Sequence, residues 1–513
     1  MSSQNNEQEN VESIADRVYQ FAKTKIKKFV TSSDDTYKVF VLVERNGHNE
    51  LIELETKASE LWLRSEYFKA KKTIHAEHSF SRALSILYTE GIESESEKIY
   101  NRVAIVENTL YYDLGRSDWK IMRIDGNSVE MVEMNENTPL FERRQNIQPQ
   151  VEFENSDSEA LDKLLKLLRI PENRSQLFKV HLASMFLEHV PIPLMVFSGE
   201  QGSAKTTTSR AVKQIIDPAS GGNAIAFPRS NDDLILNLSH RYLVTFDNVS
   251  FIDKTKSDTL CTAITGIGQA RRKLFHDQEE IILSYRRKII INGIGVTIER
   301  PDLLDRCIFY HLESPKPVER ITEEEFNEKF VSLLSNVLGN LATALQKALC
   351  TQRKICSEIK EKGRMADFTV YGEAISRALG YSENSFVELL KETMEQKAVE
   401  TIENHPLVRV IEIIMKNKIH YEATVNNFFD EIQRKANGNS LNTNQSFFPS
   451  SANRVRGSME RISSHFRTLG YEINISQYTK TDGAHPRNRF VIYIDKRVDN
   501  LTSPISTESV KTA

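Results

Sequence analysis

The stretch LMVFSGEQGSAKTTT at residues 194–208 constrains this chain more than any other. Leu194–Phe197 is a short apolar run of the kind that becomes a buried parallel strand. It leads into a glycine-rich turn, Gly199, Glu200, Gln201, Gly202, Ser203 and Ala204, then into Lys205, Thr206, Thr207 and a helical stretch. That order matches a phosphate-binding loop at every position except the last glycine, which is Ala204 here. The chemistry needs these residue types together. Loop N–H groups and the helix N-terminus cradle phosphates, Lys205 reaches the β/γ oxygens, and the Thr206 hydroxyl holds Mg²⁺. A chance glycine-rich turn would not bring strand, loop and helix in the required order. Alanine is the least bulky departure from glycine. The expectation is an ATP and Mg²⁺ site.

At 513 residues the chain is too long for a single core, so several domains are expected. Its hydrophobic content of 39% and charged content of 27% are those of an ordinary globular protein. A net charge of −4 exerts no global pull on nucleic acid, so any such binding must come from local basic patches. Cys261, Cys307, Cys350 and Cys356 show no metal-ligand or CxxC spacing, which with no secretory signal reads as reduced thiols in the cytoplasm. No apolar run approaches the length of a membrane span.

In chain order, a polar, acidic beginning reads as disordered, and Ile14–Val30 then has helical spacing. Two strand-like runs flank Asn46-Gly47, a strong hairpin signal. An amphipathic stretch from Ala58 is followed by strands at Ile99–Val106, Thr109–Leu114, Trp119–Ile124 and Val129–Met134. This is an α+β domain without a catalytic constellation; His75 and His78 read as surface residues. Glu152–Glu159 is acidic and polar, a linker by composition. Leu161–Ile170 and Gln176–Val190 read as helices leading into the Leu194 strand.

Beyond the loop, Tyr242–Phe246 is a second buried-strand candidate ending in Asp247-Asn248. A carboxylate at that strand tip suits the Mg²⁺ shell. Where many ATPases of this type next place a glutamate as general base, this chain has Asn248. Asp247 with Asn248 could orient the attacking water, or Asp253 or Asp258 could act from the following segment. A third apolar run, Lys288–Ile291, ends in Asn292-Gly293, a place for a side chain that senses the γ-phosphate. The segment RPDLLDR, 300–306, precedes a strand at Cys307–Leu312. Arg306, with Arg300 in reserve, could reach a neighbouring subunit's site; the plain alternative is a salt bridge to Asp302 or Asp305.

The loop, Asp-Asn, Asn-Gly and the LLDR segment, in this order, resemble AAA+ proteins. They are most similar to the superfamily III helicase-like ATPases of viruses, plasmids and prophages, with poxvirus-type primase-helicases as near kin. Alanine before the loop lysine is similar to what minichromosome maintenance helicases carry. The motifs cover about residues 160–400, and no primase-type acidic cluster precedes them. With the chain-order reading, the resemblance gives an expected α/β architecture in parts. These are a polar tail and helix (1–33), an N-terminal α+β accessory domain (34–150), a P-loop AAA+ core (158–318), a helical lid (319–403), a winged helix (404–498) and a disordered tail (499–513).

Residues 265–277, TGIGQARRKLFHD, crowd Arg271, Arg272, Lys273, Phe275 and His276 onto Gly266 and Gly268. Cations and an aromatic on such a loop suit a single-stranded DNA backbone, and the related helicases carry a pore-facing hairpin here; a solvated loop is the alternative. Arg364, before a helix in the lid, is a candidate second sensor or a helix-start partner of Asp367. In the C-terminal part, Ala452–Leu469 puts Val455, Met459, Ile462, Phe466 and Leu469 on one stripe. Arg454 and Arg461 lie on one flank, Arg456 and Arg467 on the other. A hairpin carrying Arg487 and Arg489 follows. Three helices and a hairpin form a winged-helix pattern for DNA or for protein. The combined expectation is an ATP-hydrolysing DNA motor, a replicative helicase-like ATPase of a mobile element that forms a homo-oligomer, in one form a hexameric ring. The rival is an ATP-controlled DNA-binding switch that does not unwind.

Overall fold

The computed structural model describes residues 13–496 apart from 136, 145, 267–268, 273–279, 284–285, 299, 404–405, 439–447, 469–470 and 481–486. The chain is mixed α/β and divides after Lys391 into two compact units. The disorder expected of the first residues and of 499–513 falls outside the described residues.

The first unit opens with the helix Ile14–Lys23, where Ser13 and Asp16 each accept the other's backbone N–H at 3.1 Å. Its continuation differs from the helical spacing in the sequence, because Ile26–Ser32 is a strand paired antiparallel with Val39–Arg45. Ile26, Phe29 and Val30 mimic an i, i+3, i+4 stripe, yet they cover two faces. Ile26 and Phe29 pack with Val41 and Trp62, and Val30 packs with Phe40 and Leu42. The expected Asn46-Gly47 hairpin forms, with both residues at positive φ (53° and 82°).

The strand read as Ile99–Val106 is broken in two. Ile99–Tyr100 pairs with Leu140–Phe141, and Val103–Val106 starts a four-stranded antiparallel meander ending in Val129–Glu133. Arg102, at φ 72° and fully buried, makes the break. Residues 152–159 are likewise held in place. The Glu154 N–H donates to the Ser335 carbonyl at 3.1 Å, and the Ser156 and Asp157 N–H groups both donate to Asn336 Oδ1 at 2.8 Å. Gly339 permits this approach, since a Cβ there would lie 1.5 Å from the Glu154 oxygen.

The centre of the unit is an all-parallel five-stranded sheet. Its order is Ile225–Ala226, Leu243–Asp247, Lys288–Asn292, Leu194–Ser198, Cys307–His311. Leu194, Val196, Val244, Phe246, Ile289 and Ile291 are buried on one of its faces, as near-continuous apolar strands demand. The helix before the first of these strands ends early, at Ser184 rather than Val190. The chain after it is captured by side chains: Tyr242 Oη donates to the Met185 carbonyl at 2.6 Å, and the buried Lys288 Nζ donates to the Leu187 and Val190 carbonyls at 2.7 Å.

A 36-residue helix, Glu323–Glu358, packs against Ala366–Ala378 and Ala160–Leu167. Thr322 caps it, and three glutamates in its first turn favour the positive end of its dipole.

The second unit contains helices Pro406–Met415, Val425–Gly438 and Ala452–Thr468, and strands His420–Thr424, Tyr471–Lys480 and Arg487–Lys496. The three strands form one antiparallel sheet with Arg487–Lys496 in the middle. Leu407, Ile411, Phe428, Ile432, Val455, Met459, Ile492 and Ile494 share its core. The strand His420–Thr424 was not legible in the sequence. Val455 and Met459 are buried as the stripe predicts; Leu469 and the side chains of Arg461, Ile462, Phe466, Arg467, Arg487 and Arg489 lie outside the described residues. Among the described residues, no helix is long and apolar enough to cross a membrane.

Candidate active site

Strand Leu194–Ser198 ends at Gly199, whose φ of 143° and close packing leave no room for a side chain. A Cβ would lie 2.2 Å from the Leu312 carbonyl oxygen. The turn passes through exposed Glu200, Gln201 and Gly202 (φ 83°) to buried Ser203, whose Oγ donates to the Glu200 carbonyl at 2.9 Å. Ala204 then takes φ 60°, ψ 20°, immediately before the helix Lys205–Ile216. Alanine in the left-handed region is strained by about 1 kcal/mol, so the departure from glycine is less neutral than its size suggests.

Lys205 folds back over its own loop. Its Nζ donates to the Gly199 carbonyl at 2.9 Å, to the Glu200 carbonyl and to Ser203 Oγ at 3.2 Å. Burial pulls the ammonium below its ordinary pKa, and the charge of Asp247 opposes that pull. Thr206 Oγ1 donates to Asp247 Oδ1 at 2.9 Å, joining the helix to the tip of the neighbouring strand. Thr207 follows, half-buried. Asn248, at φ 56°, turns the chain away and leaves its side chain exposed, while its N–H donates to Asn292 Oδ1 at 3.0 Å. Asn292 is 2% exposed, and its Nδ2 donates to Ser209 Oγ at 2.7 Å. Gly293 allows the two strand tips to close up, for a Cβ there would lie 2.0 Å from the Val249 oxygen.

Lys205, Thr206, Asp247, Asn248 and Asn292 are thus brought together at the C-terminal ends of three parallel strands. Ser209 belongs with them and escaped the sequence reading; its spacing of four from Lys205 on one helix was the available signal. Ser198 and His311, opposite each other in register at the end of the next strand pair, also flank the loop (Oγ to Nδ1, 3.5 Å). The loop N–H groups and helix N-terminus favour an anion. The Thr206 hydroxyl and Asp247 carboxylate offer hard oxygen donors of the kind that suit Mg²⁺.

Several expected site residues lie elsewhere. Arg306 immediately precedes Cys307, which is level with Leu194 at the start of the strand pair. Five residues of strand, about 16 Å, separate that level from the loop. Arg306 Nη1 is 2.9 Å from Asp302 Oδ1, Arg300 Nη2 is 2.9 Å from Asp258 Oδ2, and Arg364 pairs with Asp302 and Asp305 rather than Asp367. The second-sensor position expected of Arg364 is therefore not realised in its own chain: it stands at the opposite end of the sheet. Asp258 is turned to Arg300, and Asp253 caps the helix Lys254–Thr265 while pairing with Lys256 at 3.0 Å. Both carboxylates are thus paired with cations in this structure. Gln269–Arg272, in the basic segment, pairs antiparallel with Glu280–Leu283. Gly268, Lys273, Phe275 and His276, and the side chains of Arg271 and Arg272, lie outside the described residues. His75 packs edge-on to Tyr67 at 5.6 Å.

A cleft of about 220 Å³ is lined by Asp34, Lys98, Tyr100, Tyr242 and Arg287. It lies at the starts of the strands, away from the loop, and its charges of both signs offset one another.

Residues 161–386, a little under half of the chain, match the model of a family described as the actinomycete integrative conjugative element replication protein. No curated protein matches the chain. Among solved structures, the apo NrS-1 C-terminal region (305–718) is similar at 13% identity and a TM-score of 0.41, covering 92% of this chain and 98% of that one. Its A form gives 14% identity and 0.38, over 95% and 100%. The JCV helicase gives 15% identity and 0.25, over 47% of this chain and 64% of that one.

Proposed function

We propose that this chain is an ATP-dependent, oligomer-forming DNA motor, a replicative helicase-like ATPase of a mobile element. The observation that carries the reading is the convergence of Lys205, Thr206, Asp247 and Asn292 at one end of a parallel sheet, around a loop in which Gly199, Gly202 and Ala204 take positive φ. The match of 161–386 to a replication protein of a conjugative element supports the replicative setting.

Mg²⁺-ATP, when bound, supplies the phosphoanhydride to be cleaved and a divalent charge beside its oxygens. The chain supplies the rest. The N–H groups of 199–207 cradle phosphate, and Lys205 exchanges its loop carbonyls for phosphate oxygens. Thr206 and Asp247 hold the metal. Asn248, exposed beside Asp247, orients the attacking water, and Asn292 reads the γ-phosphate through its contact with the Asn248 backbone. Arg306, too far from its own loop, acts on the site of a second copy, where it stabilises charge on the transferring group. The basic segment 265–277 tracks single-stranded DNA, residues 319–403 act as the lid, and the second unit is a winged helix that also binds DNA. In that unit Arg454 and Arg456 stand on the helix Ala452–Thr468, where Arg456 is paired with Glu460 at 2.7 Å.

The test is ATP turnover with and without single-stranded DNA. A motor requires strong stimulation by DNA, followed by strand separation on a forked substrate. Arg306→Ala should lower turnover about a thousandfold, the low end for an arginine finger, and mixing with Lys205→Ala subunits should restore it.

A second reading is an ATP-controlled assembly switch. The observation favouring it is Asn248 in place of a glutamate, with Asp253 and Asp258 engaged by Lys256 and Arg300. Slow turnover indifferent to DNA, with ATP-dependent oligomerisation, would select it.

A further inference from the structure

We propose that Arg364 is a positioning residue for Arg306: it neutralises the carboxylates that otherwise hold Arg306 in its own chain, and so frees Arg306 for a neighbouring copy. This rests on the reading of Arg306 as a residue that acts between copies.

The root of Arg306 is fixed. Its N–H donates to the Leu303 carbonyl at 2.9 Å, and its carbonyl accepts from the Leu194 N–H at 2.7 Å. Only the side chain can move. Among the described residues, its guanidinium is held by Asp302, through the carboxylate (2.9 Å) and the carbonyl oxygen (3.1 Å). The same carboxylate oxygen, Asp302 Oδ1, also takes Arg364 Nη2, while Arg364 Nη1 pairs with Asp305 Oδ2 at 2.6 Å. One oxygen therefore serves two guanidinium groups. When Arg306 leaves, Asp302 keeps a cation, so departure strands no carboxylate. Without Arg364, Asp302 and Asp305 would both lack that partner, and among the described residues paired with them Arg306 would be the cation left to answer them.

Exposure agrees with this division. The Arg306 side chain is 17% exposed, whereas those of Arg364, Asp302 and Asp305 are 44%, 47% and 55% exposed. The retained ion pair faces solvent, and the residue to be released is tucked behind it. Arg364 lies between the helices Glu323–Glu358 and Ala366–Ala378, so the segment joining these two helices is tied to the end of the sheet where Arg306 stands.

The experiment compares Arg364→Ala, Arg364→Lys, Asp302→Asn and Arg364→Ala/Asp302→Asn in the full chain. Arg364→Ala should lower kcat about fivefold, the scale of one exposed charge pair, with KM for ATP unchanged. Mixing it with Lys205→Ala subunits should restore turnover, because the Lys205→Ala copy carries an intact Arg306 edge. Arg364→Lys should restore part of the loss, and adding Asp302→Asn to Arg364→Ala should raise kcat, since the restraining carboxylate is gone. A raised KM in Arg364→Ala, or no rescue on mixing while Arg306→Ala is rescued, would overturn the proposal in favour of a role at the chain's own site. If Arg306→Ala itself is not rescued, action between copies falls, and this inference falls with it. If Asp302→Asn gives no gain in the Arg364→Ala background, Asp302 is not the restraint and the proposal fails.

Discussion

Lys205 and Lys213 lie two turns apart on one helix, both nearly buried, and they answer their charge in opposite ways. Lys213 Nζ pairs with Asp217 and donates to the Leu243 carbonyl at 2.7 Å. Burial would push the Asp217 carboxyl up, but Lys213 and Arg102 together hold it below its usual range. The surrounding chain completes the cluster: Tyr112 Oη donates to the Ile216 carbonyl at 3.0 Å, and Gln150 Nε2 donates to the Gln214 and Ile215 carbonyls, both at 3.0 Å. Lys205 has no carboxylate of its own among these contacts. It turns on the carbonyls of an exposed loop, where a phosphate could replace them. One end of the helix is closed by a carboxylate and the other is answered by loop carbonyls. Burial of a lysine is thus no sign of a site by itself; what answers the charge decides.

That comparison can be broken by substitution. The largest effect is expected for Lys205→Ala, which should cost on the order of 10²–10³ in ATP turnover while the thermal midpoint stays at the wild-type value. Lys213→Ala should do the reverse. Leaving Asp217 buried without its lysine should cost about 3–5 kcal/mol of stability, measured by denaturant unfolding of the first transition. Lys213→Met with Asp217→Asn should recover most of it, since no charge is then stranded. Asn292→Ala should lower kcat about tenfold with little change in KM, because it removes the acceptor of the Asn248 N–H and the partner of Ser209. The smallest effect belongs to Ala204→Gly. Relief of the left-handed alanine should add about 1 kcal/mol of stability and leave turnover within about twofold.

The parts legible in the sequence were those decided locally. Strand Leu194–Ser198, the glycines at 199 and 202, and the tips Asp247 and Asn292 follow from short apolar runs ending in polar residues. The relation among them is non-local. Only the sheet order, with Lys288–Asn292 between Leu243–Asp247 and Leu194–Ser198, brings Asn292 to Ser209. Ile26, Phe29 and Val30 misled because two sheet faces can imitate one helical stripe over five residues. The composition of residues 152–159 is that of a linker, whereas Asn336 and Gly339, far along the chain, pin them. The place of Arg364 before a helix offers a second sensor or a partner of Asp367, and spacing along a lid does not say to which end of the sheet the segment returns.

The most direct measurement is steady-state ATP hydrolysis by the wild-type chain and by Lys205→Ala, each shown to have the same far-UV dichroism and thermal midpoint. The account predicts Mg²⁺-dependent turnover that Lys205→Ala loses with its fold intact. Equal turnover in the two chains would contradict it, and the loop at 199–207 would then not be the place where the nucleotide is cleaved.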